Sequence, residues 1–272
     1  MSTIRNIGMR SEVVIGQLQS QLEERDDYIV VRTPSKPFYY FGNLLALKKP
    51  LNHHTKPEWL SLFDTEFREQ PGIRHYTFSW TREQEDDTSV QAFTDAGFQY
   101  EEMHVLTQTR SDFVRPGQVN ETVVYRPLLS DEDWQQWTEI SWNERSGNHS
   151  ESDYRMFLAG QVANYRQLHE QQMGEYLGAF RGAELIGFAG LFHQASLARF
   201  QHVLVTPAFQ NTGIAKGLIS HLIERAPQHI ETMVILADEH YHASNLYRSL
   251  GFTIAERECS LCWWPDENTQ SE

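Results

Sequence analysis

Apolar residues recur along the chain in two rhythms, one of roughly 3.6 residues and one of two, and their order predicts the elements. In residues 11–25 (SEVVIGQLQSQLEER), Val14, Leu18 and Leu22 stand at helical spacing and predict an amphipathic helix. The β-branched and aromatic runs 28–32 (YIVVR) and 38–47 (FYYFGNLLAL) predict strands, with a turn at Pro34 to Pro37 between them. Trp59, Leu60, Phe63 and Phe67 mark the apolar side of a helix opened by Pro57 and closed near Pro71. A strand at 74–80 follows, then a helix led by the acidic run 83–87 and stopped at Gly97, then a strand at 98–107. The polar stretch 110–120 (RSDFVRPGQVN) carries Pro116-Gly117 and reads as a linker. It predicts two domains, residues 1–118 and 119–272.

The second domain opens with a strand at 121–126. A helix capped by Ser130 comes next, with Asp131, Glu132 and Asp133 in its first turn, and a further helix over 153–170. Three strands in succession, 176–180, 184–192 and 197–205, predict a meander with Arg181-Gly182 as its first turn. A helix follows over 213–225, with Ile214, Leu218, Leu222 and Ile223 facing inward. The near-continuous apolar strand 232–237, a helix over 243–250 and a strand over 252–261 end the pattern.

The two halves repeat one another. AFTDAGFQYEEMHVL ends the first and LYRSLGFTIAERECSL the second, each a helix, a Gly-Phe stop (Gly97, Gly251) and a long strand. Pro50 answers Pro207, the helix from Pro57 answers that from Gly213, and the strand 76–80 answers 233–237. The copies part where the second reads FQNTGIAK and the first LNHHTKP, which has no glycine and a proline that removes a donor N–H.

Composition narrows the function classes. Of 272 residues, 23 are basic and 37 acidic, a formal net charge of −14, which argues against nucleic acid or anionic membrane as partner. No apolar run approaches a membrane span and the N-terminus has no apolar leader core, so a cytoplasmic location is expected. Cys259 and Cys262 form one CxxC whose strand geometry points the thiols to opposite faces, so they read as buried small residues. His53-His54 read as solvated loop residues with no partner ligand evident. HEQQM at His169 lacks the second histidine of a zinc motif.

Candidate chemistry concentrates in residues 203–216 (VLVTPAFQNTGIAK), where a strand passes through a polar loop into a helix. Unpaired N–H groups at a helix start suit a phosphate. The order Val205, Pro207, Gln210, Gly213, Ala215 resembles the coenzyme A pyrophosphate loop of the GCN5-related N-acetyltransferases (GNAT). The resemblance covers most of 121–264 and, in outline, 25–108. It implies two GNAT-like α/β domains in tandem, each with a mixed, mostly antiparallel sheet flanked by helices, the first having lost cofactor binding.

The resemblance further implies an acetyl-CoA-dependent N-acetyltransferase acting on a small-molecule or peptide primary amine by direct attack, without a metal. A homodimer is left open. Backbone groups of Asn211, Thr212, Gly213, Ile214, Ala215 and Lys216, next to Gln210, would hold the pyrophosphate. Those of Val203, Leu204 and Val205, at a splayed strand end, would meet the thioester arm. Tyr247, within Ala243, Tyr247, Gly251, Phe252, would protonate the departing thiolate. His240 stands where relatives carry a coenzyme-contacting asparagine, and Asn245 is a nearby amide. The family's base lies on the strand into Val205. Strict alternation puts Arg199, Gln201, Val203 and Val205 on one face and Phe200, His202 and Leu204 on the other. The base face is that of Arg199 and Gln201, so His202 would serve only if a bulge reoriented it. Glu144, His149 and Glu151 are alternatives, read as solvated charges. With no base on the expected face, a silent coenzyme A-binding sensor is the alternative function.

Overall fold

The computed structural model of the chain describes residues 4, 6–82, 87–117, 119–145, 151–238 and 243–265. It divides into two compact units, Met1–Val105 with Ala255–Glu272, and Leu106–Ile254.

The first unit begins with α1 (Ile7–Gly16), whose N-cap Asn6 accepts the Met9 N–H at 2.8 Å. Strands β1 (Gln21–Glu24), β2 (Tyr28–Arg32) and β3 (Leu44–Leu47) follow. The helix expected over 11–25 thus starts earlier and ends at Gly16, and its last residues are a strand. Val14 and Ile15 are buried while Leu22 is exposed. Residues 21–24 instead pair antiparallel with β2, and Arg32 and Lys48 bridge Glu23 and Glu24 at 2.6 and 3.0 Å. The extended run expected from Phe38 is likewise shortened to β3 by a 3-10 turn at Tyr40–Gly42.

Helix α2 (Lys56–Phe67), strand β4 (Tyr76–Thr81), helix α3 (Asp87–Thr94) and strand β5 (Gln99–Gln108) complete this stretch; residues 83–86 of the acidic run lie outside the described residues. Apolar side chains from β2, β3, α2 and β4, with Trp59 and Phe78 at the centre, fill one core.

The rest of the chain forms β6 (Val124–Pro127), α4 (Asp131–Asn143), α5 (Glu151–Glu170), β7 (Gly174–Arg181), β8 (Glu184–Gln194), β9 (Leu197–Val205), α6 (Ile214–Arg225), β10 (Thr232–Asp238), α7 (Ala243–Ser249) and β11 (Thr253–Trp263). Ser130 caps α4 as expected, and the Asp133 carboxylate returns to the Ser130 N–H. Strands β6, β7, β8 and β9 form an antiparallel meander, and β10 joins β9 in parallel. The core of this unit lies between the sheet and α6, around Leu218, Ile219, Phe200 and Met233.

One expectation changes. Within the first unit the strands run in the order β1-β2-β3-β4-β11-β5 and within the second β10-β9-β8-β7-β6, each set mixed and mostly antiparallel, so the last strand of the sequence lies among those of the first half. A single cut between 118 and 119 therefore does not reproduce the division into units. Strand β11 runs antiparallel to β4, from Glu258 opposite Thr81 to Trp263 opposite Tyr76, and buries Cys259 and Leu261 in the first unit's core. Sequence order is overridden there by backbone pairing and apolar burial.

The stretch read as a linker is docked rather than free. The Arg110 guanidinium donates to the carbonyls of Ile223, Ala226 and Pro227 at 2.9 to 3.0 Å, satisfying the C-terminal end of α6. The internal repeat is visible in backbone geometry. In each copy a strand, a 3-10 turn, a helix and a parallel strand follow in order, β3–α2–β4 and β9–α6–β10. Gly97 and Gly251 both take positive φ, and the Phe98 and Phe252 N–H groups close the same turn onto Phe93 and Tyr247.

Candidate active site

The site is built on β9. Its parallel pairing with β10 runs only from Leu197 opposite Thr232 to Arg199 opposite Val234. Its pairing with β8 continues to Val205. From Phe200 to Val205, roughly 15–20 Å of strand at the usual rise, the β10 side of β9 has no ladder partner among the described residues. This is the splay that no sequence pattern reveals.

A bulge lies in the same segment. Phe188 faces Leu204 but Gly190 faces Gln201, so His202 and Val203 oppose the single residue Ala189, and His202 takes φ of 52°. The bulge breaks strict alternation. Phe200, Val203 and Val205 turn together toward the α6 core, while Gln201 and His202 share the opposite side. His202 therefore joins the face of Gln201, against the alternation expected from sequence. Its ring lies 5.8 Å from Trp137 and 6.2 Å from Phe188. The residue is exposed by surface area, yet desolvation by the surrounding protein lowers its pKa from the usual histidine value. With its pKa lowered, the imidazole is neutral at neutral pH and able to accept a proton.

Beyond Val205 the chain makes a 3-10 turn at Pro207–Phe209, tied by Thr212 Oγ1 donating to the Phe209 carbonyl at 2.6 Å. The Gln210 amide donates to the Val205 carbonyl at 3.2 Å, so Gln210 closes the loop and occupies that acceptor. Asn211 and Gly213 take positive φ, 61° and 84°. Gly213 is the N-cap of α6 in left-handed geometry, with no side-chain cap and no acidic residue in the first turn. The first-turn N–H groups are left to an external acceptor. Ile214 buries its side chain in the core, and Ala215 and Lys216 are half-buried.

The other copy is closed. At the start of α2 the Glu58 carboxylate accepts from the Thr55 N–H at 2.7 Å and from its hydroxyl at 2.8 Å, in a capping box with Pro57 in the first turn. An internal anion occupies the place that α6 leaves open.

Of the remaining candidates, Tyr247 is 6% exposed, joins the α6 core and packs edge-on against Phe252 at 6.2 Å. Asn245 is exposed on α7. His240 and His149 lie outside the described residues. Glu144 is exposed, and Glu151 pairs with Arg155 at 2.9 Å.

Residues 145–263 match the family model of the acetyltransferase (GNAT) domain. Over that stretch the C-terminal half is similar to a GNAT domain. The fold of the chain as a whole has solved counterparts. A functionally unknown conserved protein of Staphylococcus epidermidis superposes with TM-score 0.76 at 14% identity, over 91% of this chain and 95% of that one. A GCN5-related N-acetyltransferase from Kribbella flavida gives 0.66 at 10% identity over 98% of both chains. A tandem GNAT protein from the clavulanic acid biosynthesis pathway gives 0.56 at 12% identity, over 94% and 89%. At these identities the likeness is one of fold, shared over nearly the whole chain. No curated protein matches the sequence. Among the described residues, no helix is long and apolar enough to cross a membrane.

Proposed function

We propose that the C-terminal half is an acetyl-CoA-dependent N-acetyltransferase whose acceptor is a primary amine. One observation carries the reading: β9 parts from β10 beyond Arg199 and leads through a short loop to a helix start with no side-chain cap. The free N–H groups from Asn211 to Lys216, with the α6 dipole and the Lys216 charge, suit the coenzyme's pyrophosphate. Val203 and Leu204 offer backbone to the thioester arm, because the Val205 carbonyl is already held by Gln210.

The amine arrives as an ammonium ion, and His202 removes one proton. The nitrogen then attacks the acyl carbon, the carbon–sulfur bond breaks, and Tyr247 protonates the sulfur. The proton shed by the new amide nitrogen restores Tyr247. Asn245 on α7 is assigned to coenzyme contact, and His240 keeps the same sequence-based assignment. The sensor alternative rested on the lack of a base on the Gln201 face; the bulge at His202 supports the enzyme reading instead.

The test is free-thiol release from acetyl-CoA over a panel of polyamines, amino acids, aminoglycosides and peptides. Acceptor-dependent release supports the enzyme. Tight acetyl-CoA binding without turnover on any amine contradicts it and leaves the sensor.

A further inference from the structure

In the first unit, the turn between β1 and β2 brings Asp27 against the loop that carries His53 and His54. His54 Nε2 lies 3.1 Å and His53 Nε2 3.4 Å from the same carboxylate oxygen of Asp27. One donor atom from each of the three residues lies within 4.8 Å of the others. With metal–ligand bonds of about 2.0–2.1 Å, neighbouring donors in a tetrahedral site stand ~3.3–3.4 Å apart. The two oxygen–nitrogen separations already approach that edge length.

The donors are also held in place. The His54 ring stands perpendicular to Trp59 at 4.6 Å, and the buried indole N–H donates to the Leu51 carbonyl at 2.8 Å. The two imidazoles meet edge to face at 4.7 Å. Across the turn, the Lys48 N–H donates to the Asp27 carbonyl at 2.8 Å. His53 is 42% exposed and Asp27 and His54 are each 26% exposed, so water can fill the remaining coordination positions.

We propose that Asp27, His53 and His54 form a binding site for a divalent transition-metal ion of the zinc, nickel or copper class. Two imidazole nitrogens and one carboxylate oxygen favour these ions over magnesium and calcium, which take oxygen ligands. The bound ion clamps the β1–β2 turn to the segment before α2. That segment is the first copy's counterpart of the open loop before α6, so the copy whose helix start is closed to phosphate carries a cation site beside it.

The test is calorimetric titration of metal-free full-length protein with zinc and nickel chloride, with magnesium and calcium as controls. The expected result is one transition-metal ion per chain, neither control ion binding comparably. Affinity should fall in Asp27→Asn, His53→Asn and His54→Asn by at least the roughly 10–100-fold that loss of an outer-shell partner costs. It should be unchanged in the double variant His193→Asn/His229→Asn, which removes a second histidine pair at 5.3 Å. The buried thiols of Cys259 and Cys262, with pKa values raised to about 11 and 12 by desolvation, do not compete at neutral pH. Copper(II) added to the wild-type protein should show two nitrogen couplings by electron paramagnetic resonance, a readout that holds even if a variant fails to fold. No binding to the wild type, binding unaffected by the three substitutions, or equal loss in the control variant would overturn the proposal.

Discussion

The contrast between α2 and α6 can be tested by moving one charge. Lys216 occupies the third helical position of α6, the place Glu58 occupies in α2. In Lys216→Glu a carboxylate can fold back on the Gly213 N–H as Glu58 does on Thr55, which adds stability while removing the phosphate site. An acid in a first turn contributes about 0.3–1 kcal/mol, a rise in Tm of ~1–3 °C for a chain of this size. The substitution changes local charge by two units. Against one phosphate charge at roughly 8 Å, each unit is worth about 0.5 kcal/mol in water and ~2 kcal/mol at an effective dielectric constant near 20. The total is about 1–4 kcal/mol, and the partial exposure of the half-buried position selects the lower part of that range, roughly a tenfold loss of acetyl-CoA affinity. Titration calorimetry and a thermal melt read the two effects separately. Opposite signs are expected, with stability up and affinity down. Unchanged affinity in a folded, stabilised variant would refute the assignment of the α6 start as the pyrophosphate site.

Other substitutions probe the chemistry and the scaffold. His202→Gln should lower kcat/KM by about 100-fold with acetyl-CoA affinity retained. In the wild type, the acidic limb of the pH–rate profile should lie below the ordinary histidine value, because desolvation lowers the pKa and the neutral form is active; a limb that persists unchanged in the variant would exclude His202. Tyr247→Phe should lower kcat with little change in KM, and unchanged activity and pH profile would falsify its role as acid. Asp133→Ala removes a carboxylate that accepts from Arg126 at 2.7 and 2.8 Å and from the Leu129 and Ser130 N–H groups. It should cost about 2–3 kcal/mol in a denaturant titration, since Arg126 is itself partly exposed. The Arg126 guanidinium holds the Asp133 carboxyl far below the usual range, so this contribution is complete above about pH 4 and lost as the pH falls through the lowered value.

Much of the fold was legible because local signals agreed with one another. Ser130 before three acids, Gly97 and Gly251 before phenylalanine, and the apolar spacing of α2 and α6 each specify an element through chain-local chemistry. The loop before α6 was legible for the same reason, since Gly213 occupies a left-handed position that side chains resist. Features created by pairing were not. The bulge at His202 arises from a mismatch between β8 and β9, and neither strand announces it alone. The segment 21–24 carries helical spacing, yet its backbone is claimed by β2. The last strand lies in the first unit because β4 and its aromatic core accept it. Asp27 beside the histidines had a traceable signal: pairing Tyr28 with Leu47 puts Asp27 opposite Lys48, a few residues from His53. Reading that signal requires the β2–β3 register first.

The central claim is that the scaffold occurs twice and only the second copy binds the coenzyme. The stoichiometry of acetyl-CoA binding to the full chain tests it most directly. One site per chain is predicted, abolished or weakened in Lys216→Glu and retained in Glu58→Gln. Two sites, none, or one that responds to Glu58 rather than to Lys216 would contradict it.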